Sequence, residues 1–307
     1  MWVVNYRKIF YTISGIIVLA SVASFVVFGF KPGIDFTGGT LIEVSYSQRP
    51  EQGTLIQALT AIDPTVSVRP SGTTEYIVRM KPISQTEKAG VMAILAPQAS
   101  STDATSTATS TIQATVKTFD SIGPVLGAEA LRKSIVSIVL VLLGIVLFIT
   151  FAFRKVSEPV SSWKYGLIAI VGLIHNVIIP AGVFSILGHY LGYEVDTLFV
   201  TALLVILGFS VHDTIVVFDR VRENLKHAAS HKPFAEVVGH SISQTFTRSI
   251  NTSLTTLIAL VVLYIFGGTS TEHFSLALII GIAVGTYCSI FICSPLLVTI
   301  EKWGSKK

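Results

Sequence analysis

Apolar positions along the chain gather into six long runs that contain no Asp, Glu, Lys or Arg: Ile9–Phe30, Ile135–Phe153, Tyr165–Leu187, Leu198–Val211, Ile250–Phe266 and Phe274–Ile300. A membrane-spanning helix needs roughly 20 predominantly apolar residues. Five runs reach or approach that length, and the fourth does so only by running on through His212 and Asp213 to Phe218. The pattern predicts a first span within residues 1–30 and five more at 135–153, 165–187, 198–218, 249–266 and 274–300. Between the first two spans the period changes. Ile34–Ser47, Thr65–Pro70, Glu75–Lys81 and Ile112–Phe119 alternate as half-buried strands do. Gln52–Ile62 and Ser84–Leu95 carry apolar residues at helical spacing, the second opened by a Ser84/Glu87 capping box. The order β-α-β-β-α-β is that of a small ferredoxin-like α+β domain over 31–133. Residues 97–111, rich in Ser, Thr and Ala, read as a flexible loop outside its core.

Composition agrees. Of 307 residues 51% are apolar and 13% charged, with a mean hydropathy of +0.69, where a soluble domain carries about 25% charge. A soluble enzyme is excluded, and the net charge of +4 is no argument for nucleic-acid binding. The placement of Lys and Arg predicts orientation. Arg7 and Lys8, then Arg154, Lys155 and Lys164, then Arg220, Arg222, Lys226 and Lys232, and finally Lys302, Lys306 and Lys307 fall on one side. The short loops 188–197 and 267–273 on the other side have none. By the positive-inside rule both termini are cytoplasmic and 31–133 is external. The first span exceeds a signal-peptide core and is expected to remain as an anchor.

Ionisable groups inside spans are costly and point to function. Asp213, with His212, lies in the inner half of span four, where burial and a nearby cation pull its proton affinity in opposite directions. Span five carries Ser241, Gln244, Thr245, Arg248, Asn251, Thr252 and Thr255 at helical spacing, a polar stripe unsuited to lipid. An Asp213–Arg248 pair is the most economical way to hold both charges, either as a proton site or as a static packing pair. His175-Asn176 sits near the middle of span three, one turn before Pro180, as a relay or as a bundle hydrogen bond. Ala277, Gly281, Gly285 and Ser289 form a small-residue face for helix packing. Cys288 and Cys293, five apart on one helix, are expected to stay too far apart to bridge. There is no pair of facing carboxylates for an aspartyl protease and no third ligand at the depth of His175 and His212. No catalytic residue, metal or cofactor is expected. Gly33-Ile-Asp-Phe-Thr-Gly-Gly-Thr40 lacks the lysine and spacing of a phosphate loop and reads as a tight turn where the sheet begins.

These segments resemble a known family. Gly33, Asp35, Thr37, Gly38 and Gly39 after a first span match the signature shared by SecD and SecF, accessory proteins of the bacterial Sec translocase. Gly208-Phe-Ser-Val-His-Asp-Thr-Ile-Val-Val-Phe-Asp-Arg-Val-Arg-Glu-Asn224 resembles the fourth-span motif of the SecF side, and Arg248–Thr256 with the Phe-Gly-Gly at 266–268 resembles its fifth span. The resemblance implies a six-helix half of a transporter of the resistance–nodulation–division type in the bacterial cytoplasmic membrane. It implies pairing with SecD, work alongside the SecY, SecE and SecG channel with YajC and YidC as neighbours, and proton-driven export of preproteins. Asp213 and Arg248 would belong to the proton pathway, with Asn251 and Thr252 beside them. Where the family commonly has His-Asp this chain has His175-Asn176, and His212 stands where Asn is usual, which makes His212 a candidate proton carrier. Two other readings stand beside this one: a non-energised scaffold, and half of a small-molecule or lipid exporter.

Overall fold

The structure, a computed structural model, describes residues 2–96, 113–152, 162–227 and 232–304. The Ser/Thr tract at 97–111, Arg154, Lys155, Lys306 and Lys307 lie outside them. The chain divides into two compact units, one of residues 1–31 with 134–307 and one of residues 32–133.

In the first unit a short helix α1 (Trp2–Asn5) precedes the long α2 (Arg7–Phe28). The second unit opens with one helical turn, α3 (Ile34–Thr37), then β1 (Gly39–Tyr46), α4 (Gln52–Thr60), β2 (Ser67–Ser71), β3 (Glu75–Met80), α5 (Gln85–Leu95) and β4 (Ala114–Ile122). The sheet order is β2-β3-β1-β4 with every neighbouring pair antiparallel. That is the arrangement of a ferredoxin-like domain. Ile42, Val44 and Tyr46 of β1, Tyr76, Val78 and Met80 of β3 and Val68 of β2 meet Leu55, Leu59, Val91 and Leu95 from the two helices. Each large apolar side chain buried this way contributes roughly 1.5–3 kcal/mol. The capping box at α5 is present: Ser84 Oγ accepts from Glu87 N, and the Glu87 carboxylate accepts from Ser84 N.

The strand starts later than alternation suggests. Residues 34–37 coil into α3, and the chain reaches β1 through Gly38 (φ 73°) and Gly39 (φ 137°), backbone angles that side chains disfavour. A Cβ on Gly38 would stand 2.8 Å from Pro124 Cα, and one on Gly127 would stand 2.9 Å from the Phe36 carbonyl oxygen. The glycine turn is therefore a close backbone contact with the first residues of helix α6 (Pro124–Ala152).

The first unit continues through α6 and on to α7 (Ser162–Tyr190), α8 (Thr197–His227), α9 (Phe234–Phe266), α10 (Thr269–Cys288), a π-helical turn over Ser289–Cys293, and α11 (Ser294–Gly304). Among the described residues six helices are long and apolar enough to cross a membrane: α2, α6, α7, α8, α9 and the α10–α11 rod. All extend beyond the uncharged runs, because polar ends continue the helix past the apolar core. Helices α7, α8 and α10 are the buried centre. Most apolar side chains of α2, α6 and α9 are exposed on the isolated chain.

In the small domain Asp63 is buried at the end of α4. Its carboxylate accepts from Thr65 N (2.8 Å), Thr65 Oγ1 (2.7 Å) and Lys81 N (2.6 Å). Burial pushes this carboxyl up, but those three donors and the Lys81 charge outweigh burial and hold it below its ordinary value. A lowered folded value means the stabilisation is complete above the unfolded value of about 3.9 and is lost as pH falls through the folded one. Asp63→Ala should cost roughly 2–4 kcal/mol at neutral pH. Its deficit against the wild type should shrink below about pH 4, as read by thermal denaturation of the full chain in detergent.

Candidate functional site: buried polar groups of the helix bundle

Small residues bring α8 and α10 into contact. A Cβ on Gly281 would collide with the Ile206 side chain, and one on Gly285 would lie 3.1 Å from Ser210 Cβ. Ala277 and Ser289 extend this face and are fully buried. The close approach leaves room at the centre for polar side chains rather than bulky apolar ones.

Asp213 lies there, 3% exposed. The hydroxyls of Ser249 on α9 and Thr286 on α10 adjoin its carboxyl group, and Arg248 is near enough to act on it electrostatically. Among the described residues Oδ2 of Asp213 has no hydrogen-bond partner, and neither has Ser249 Oγ. Ser253 Oγ and Thr286 Oγ1 are hydrogen-bonded to each other. The carboxylate thus faces hydroxyls, with one oxygen in reserve.

The direct Asp213–Arg248 pair expected from the sequence is not formed: among the described residues no ion pair joins them. Arg248 points outward instead. The polar stripe of span five is two rows on one helix. Ser241, Thr245, Ser249 and Ser253, at strict spacings of four, are buried against the bundle. Gln244, Arg248, Asn251, Thr252 and Thr255 are exposed on the isolated chain. At one end Gln244 clasps α8 by accepting from Arg220 Nε (2.7 Å) and Asn224 Nδ2 (2.8 Å). His212, next to Asp213 in sequence, also faces outward, because consecutive helical residues point about 100° apart.

His175 and Asn176 of α7 are both buried. His175 Nδ1 lies 2.9 Å from Asn176 Oδ1, and Asn176 Nδ2 donates to Ser210 Oγ. Thr214 Oγ1 in turn donates to the Ser210 carbonyl at 3.0 Å. Ser210, Ser249, Ser253 and Thr286 are not among the residues the sequence reading marks. The signal in the sequence is the spacing of four from Ser241 to Ser253, overlaid by the more polar row of Arg248 and Asn251. The two cysteines are unbridged, as expected, but their sulfurs approach more closely than the spacing suggests. A π turn carries i and i+5 to the same side, and Cys288 Sγ and Cys293 Sγ come within 3.7 Å, both as free buried thiols.

Comparison with known proteins decides what this bundle belongs to. A family described as "Protein export membrane protein SecD/SecF, C-terminal" matches residues 102–303, and the "SecD/SecF GG Motif" matches residues 23–48. A "Protein translocase subunit SecF" of Thermobaculum terrenum is 40% identical over 97% of this chain and 93% of its own length. One from Anaerolinea thermophila is 34% identical over 96% and 92%. The chain belongs to the SecF family.

Among solved structures, SecDF of Thermus thermophilus, a translocon-associated membrane protein, superposes with a TM-score of 0.80 at 30% identity. The match covers 98% of this chain and 38% of that longer one. A second SecDF structure, in a super-membrane-facing form, gives 0.65. The fold is accordingly the half-transporter bundle of SecDF with its small α+β domain. The glycine turn at 33–39 falls within the family's GG motif, and its role in this structure is the close contact with Pro124 and Gly127 described above.

Gly281→Val should push Ile206 and α8 away from α10 and destabilise the bundle by about 1–3 kcal/mol. Gly208→Ala on the open face of α8, with nothing within 4 Å, should be nearly neutral. Thermal inactivation of the purified chain in detergent distinguishes the two.

Proposed function

We propose that this chain is the SecF half of a two-part device that, with a SecD half, uses the proton motive force to promote export of preproteins. The observation that carries the reading is the Asp213 carboxyl, buried among hydroxyls with Oδ2 unpartnered, on a helix whose next face stays open to a partner. A group so placed takes up and releases a proton without breaking a fixed ion pair. One proton crossing 100 mV supplies about 2.3 kcal/mol, so a few per cycle suffice for a movement of the small domain.

The outward row of Arg248, Asn251, Thr252 and Thr255 with His212 is too polar to face lipid. It is the surface on which a SecD half supplies the complementary groups. The fusion of both halves in one polypeptide, as the name SecDF in Thermus implies, supports that pairing. In this reading the protein lies in the bacterial cytoplasmic membrane with both termini cytoplasmic and residues 31–133 external, as the one-sided lysines and arginines support. Preproteins arrive there from the SecY, SecE and SecG channel, with YajC and YidC as further neighbours. The protein acts as a transport subunit, not an enzyme, and needs no cofactor.

In inverted vesicles containing this chain and its SecD partner, an imposed proton gradient should increase preprotein release. Asp213→Asn should reduce that gain at least tenfold, about 1.4 kcal/mol, at unchanged membrane levels and unchanged association with SecD. An equal gain in both proteins, or loss of association in the variant, overturns the proposal in favour of a scaffold.

A further inference from the structure

The hydrogen bonds around His175 can be assigned from donor counting alone. Asn176, 0% exposed, donates through Nδ2 to Ser210 Oγ, which leaves its Oδ1 facing His175 Nδ1 at 2.9 Å. An amide oxygen only accepts, so this contact requires a hydrogen on Nδ1. Neutral His175 is thereby held as the Nδ1–H tautomer, with Nε2 as the free acceptor.

Nε2 lies 3.3 Å from Ser14 Oγ on α2. Ser14 Oγ is 3.4 Å from Tyr287 Oη on α10, and the Tyr287 hydroxyl donates to the Phe10 carbonyl at 3.4 Å. Ser14 therefore has one hydrogen and two neighbours able to take it. Against neutral imidazole the hydroxyl donates to Nε2. Against imidazolium, Nε2–H donates to Ser14 Oγ, and the Ser14 hydrogen turns to Tyr287 Oη, whose own hydrogen stays on Phe10. Neither state leaves a donor without an acceptor. Among buried groups such an orphan is what ordinarily forbids one of the two protonation states.

The surroundings are otherwise neutral. From α2 the imidazole meets Ser14, and from α10 it meets Tyr287, with ring centroids 6.5 Å apart. From α8 it is reached through Ser210, with Asp213 three residues further on. Among the described residues no charged side chain is paired with it.

We propose that His175 is a second proton-binding site of the bundle, its tautomer set by Asn176 and its charge accommodated when the Ser14 hydroxyl turns from the imidazole to Tyr287. Asn176 is a positioning residue that ties this site to Ser210 on the helix that carries Asp213. The use of the site in transport rests on the proton-coupled reading, but its existence and its test do not.

The test is histidine 15N NMR of the whole chain in lipid nanodiscs, without SecD or a gradient, with His175 assigned by His175→Gln. Wild type should show the Nδ1–H tautomer at about pH 8 and imidazolium signals growing towards about pH 5. Ser14→Ala should lower the charged fraction of His175 about tenfold, the effect of one hydrogen bond to a charged group. Tyr287→Phe should lower it less, because Ser14 then still accepts from Nε2–H but loses Tyr287 Oη as the acceptor of its own hydrogen and must turn to the Phe10 carbonyl. The other histidines, unshifted, report that each variant is folded, and Tyr287→Phe carries the test if Ser14→Ala does not fold. An Nε2–H tautomer in the wild type, a ring neutral across the whole range, or a charged fraction indifferent to both variants overturns the proposal. Failure of the export assay would leave this measurement untouched.

Discussion

A carboxyl group in the middle of a bilayer has no water to fall back on, so the residues around it decide whether it is an ion, a neutral acid or a switch between the two. Asp213 is a buried carboxyl within the apolar span α8, and its surroundings decide the same question. The helices beside α8 contribute hydroxyls and glycines instead of bulk: Ser249 and Ser253 from α9, Gly281, Gly285 and Thr286 from α10. Larger side chains there would hold the backbones apart and leave the carboxyl either in a void or in lipid. Hydroxyls serve both protonation states, since each can donate to a carboxylate or accept from a carboxylic acid.

The cation that would lock Asp213 as an ion is kept away. Arg248 is on the neighbouring helix, but it leaves the chain on the same outward row as Asn251 and Thr252. A buried ion pair is costly to form and costlier to break, so a direct contact would favour a fixed structure over a reversible one. In the proposed pairing with a SecD half, the arginine would lie at the covered surface, and its pairing would depend on assembly. The His175–Asn176–Ser210 chain ties the same helix to α7 by neutral hydrogen bonds. The helix that carries the carboxyl is therefore held by its neighbours where it is buried and exposed at His212.

Much of the fold was legible in the sequence because its signals are local. Twenty apolar residues without charge make a spanning helix in almost any context, and period-two strands with a capping box make a small α+β domain. The glycine turn was legible as a turn, while its contact with Pro124 and Gly127 was not, because those residues lie some ninety positions away in the chain. The outward row of α9 was half legible. A polar stripe can be read from spacing, but not which of its edges the rest of the bundle covers.

The sequence by itself determined that the chain is a six-span membrane protein with a small α+β domain and a SecF signature, and that Asp213 is its deepest carboxyl. These depend on composition and period, which act within a few helical turns. Tertiary structure alone decided that Arg248 and His212 face outward and that Ser249 and Thr286 adjoin Asp213. It alone decided that Cys288 and Cys293 meet across a π turn and that Asn176 reaches Ser210. Apart from the cysteine contact, which the π turn makes within one helix, each of these is set by the rotation of one helix against another, and that rotation is fixed by the summed packing of all its neighbours, which no local pattern encodes.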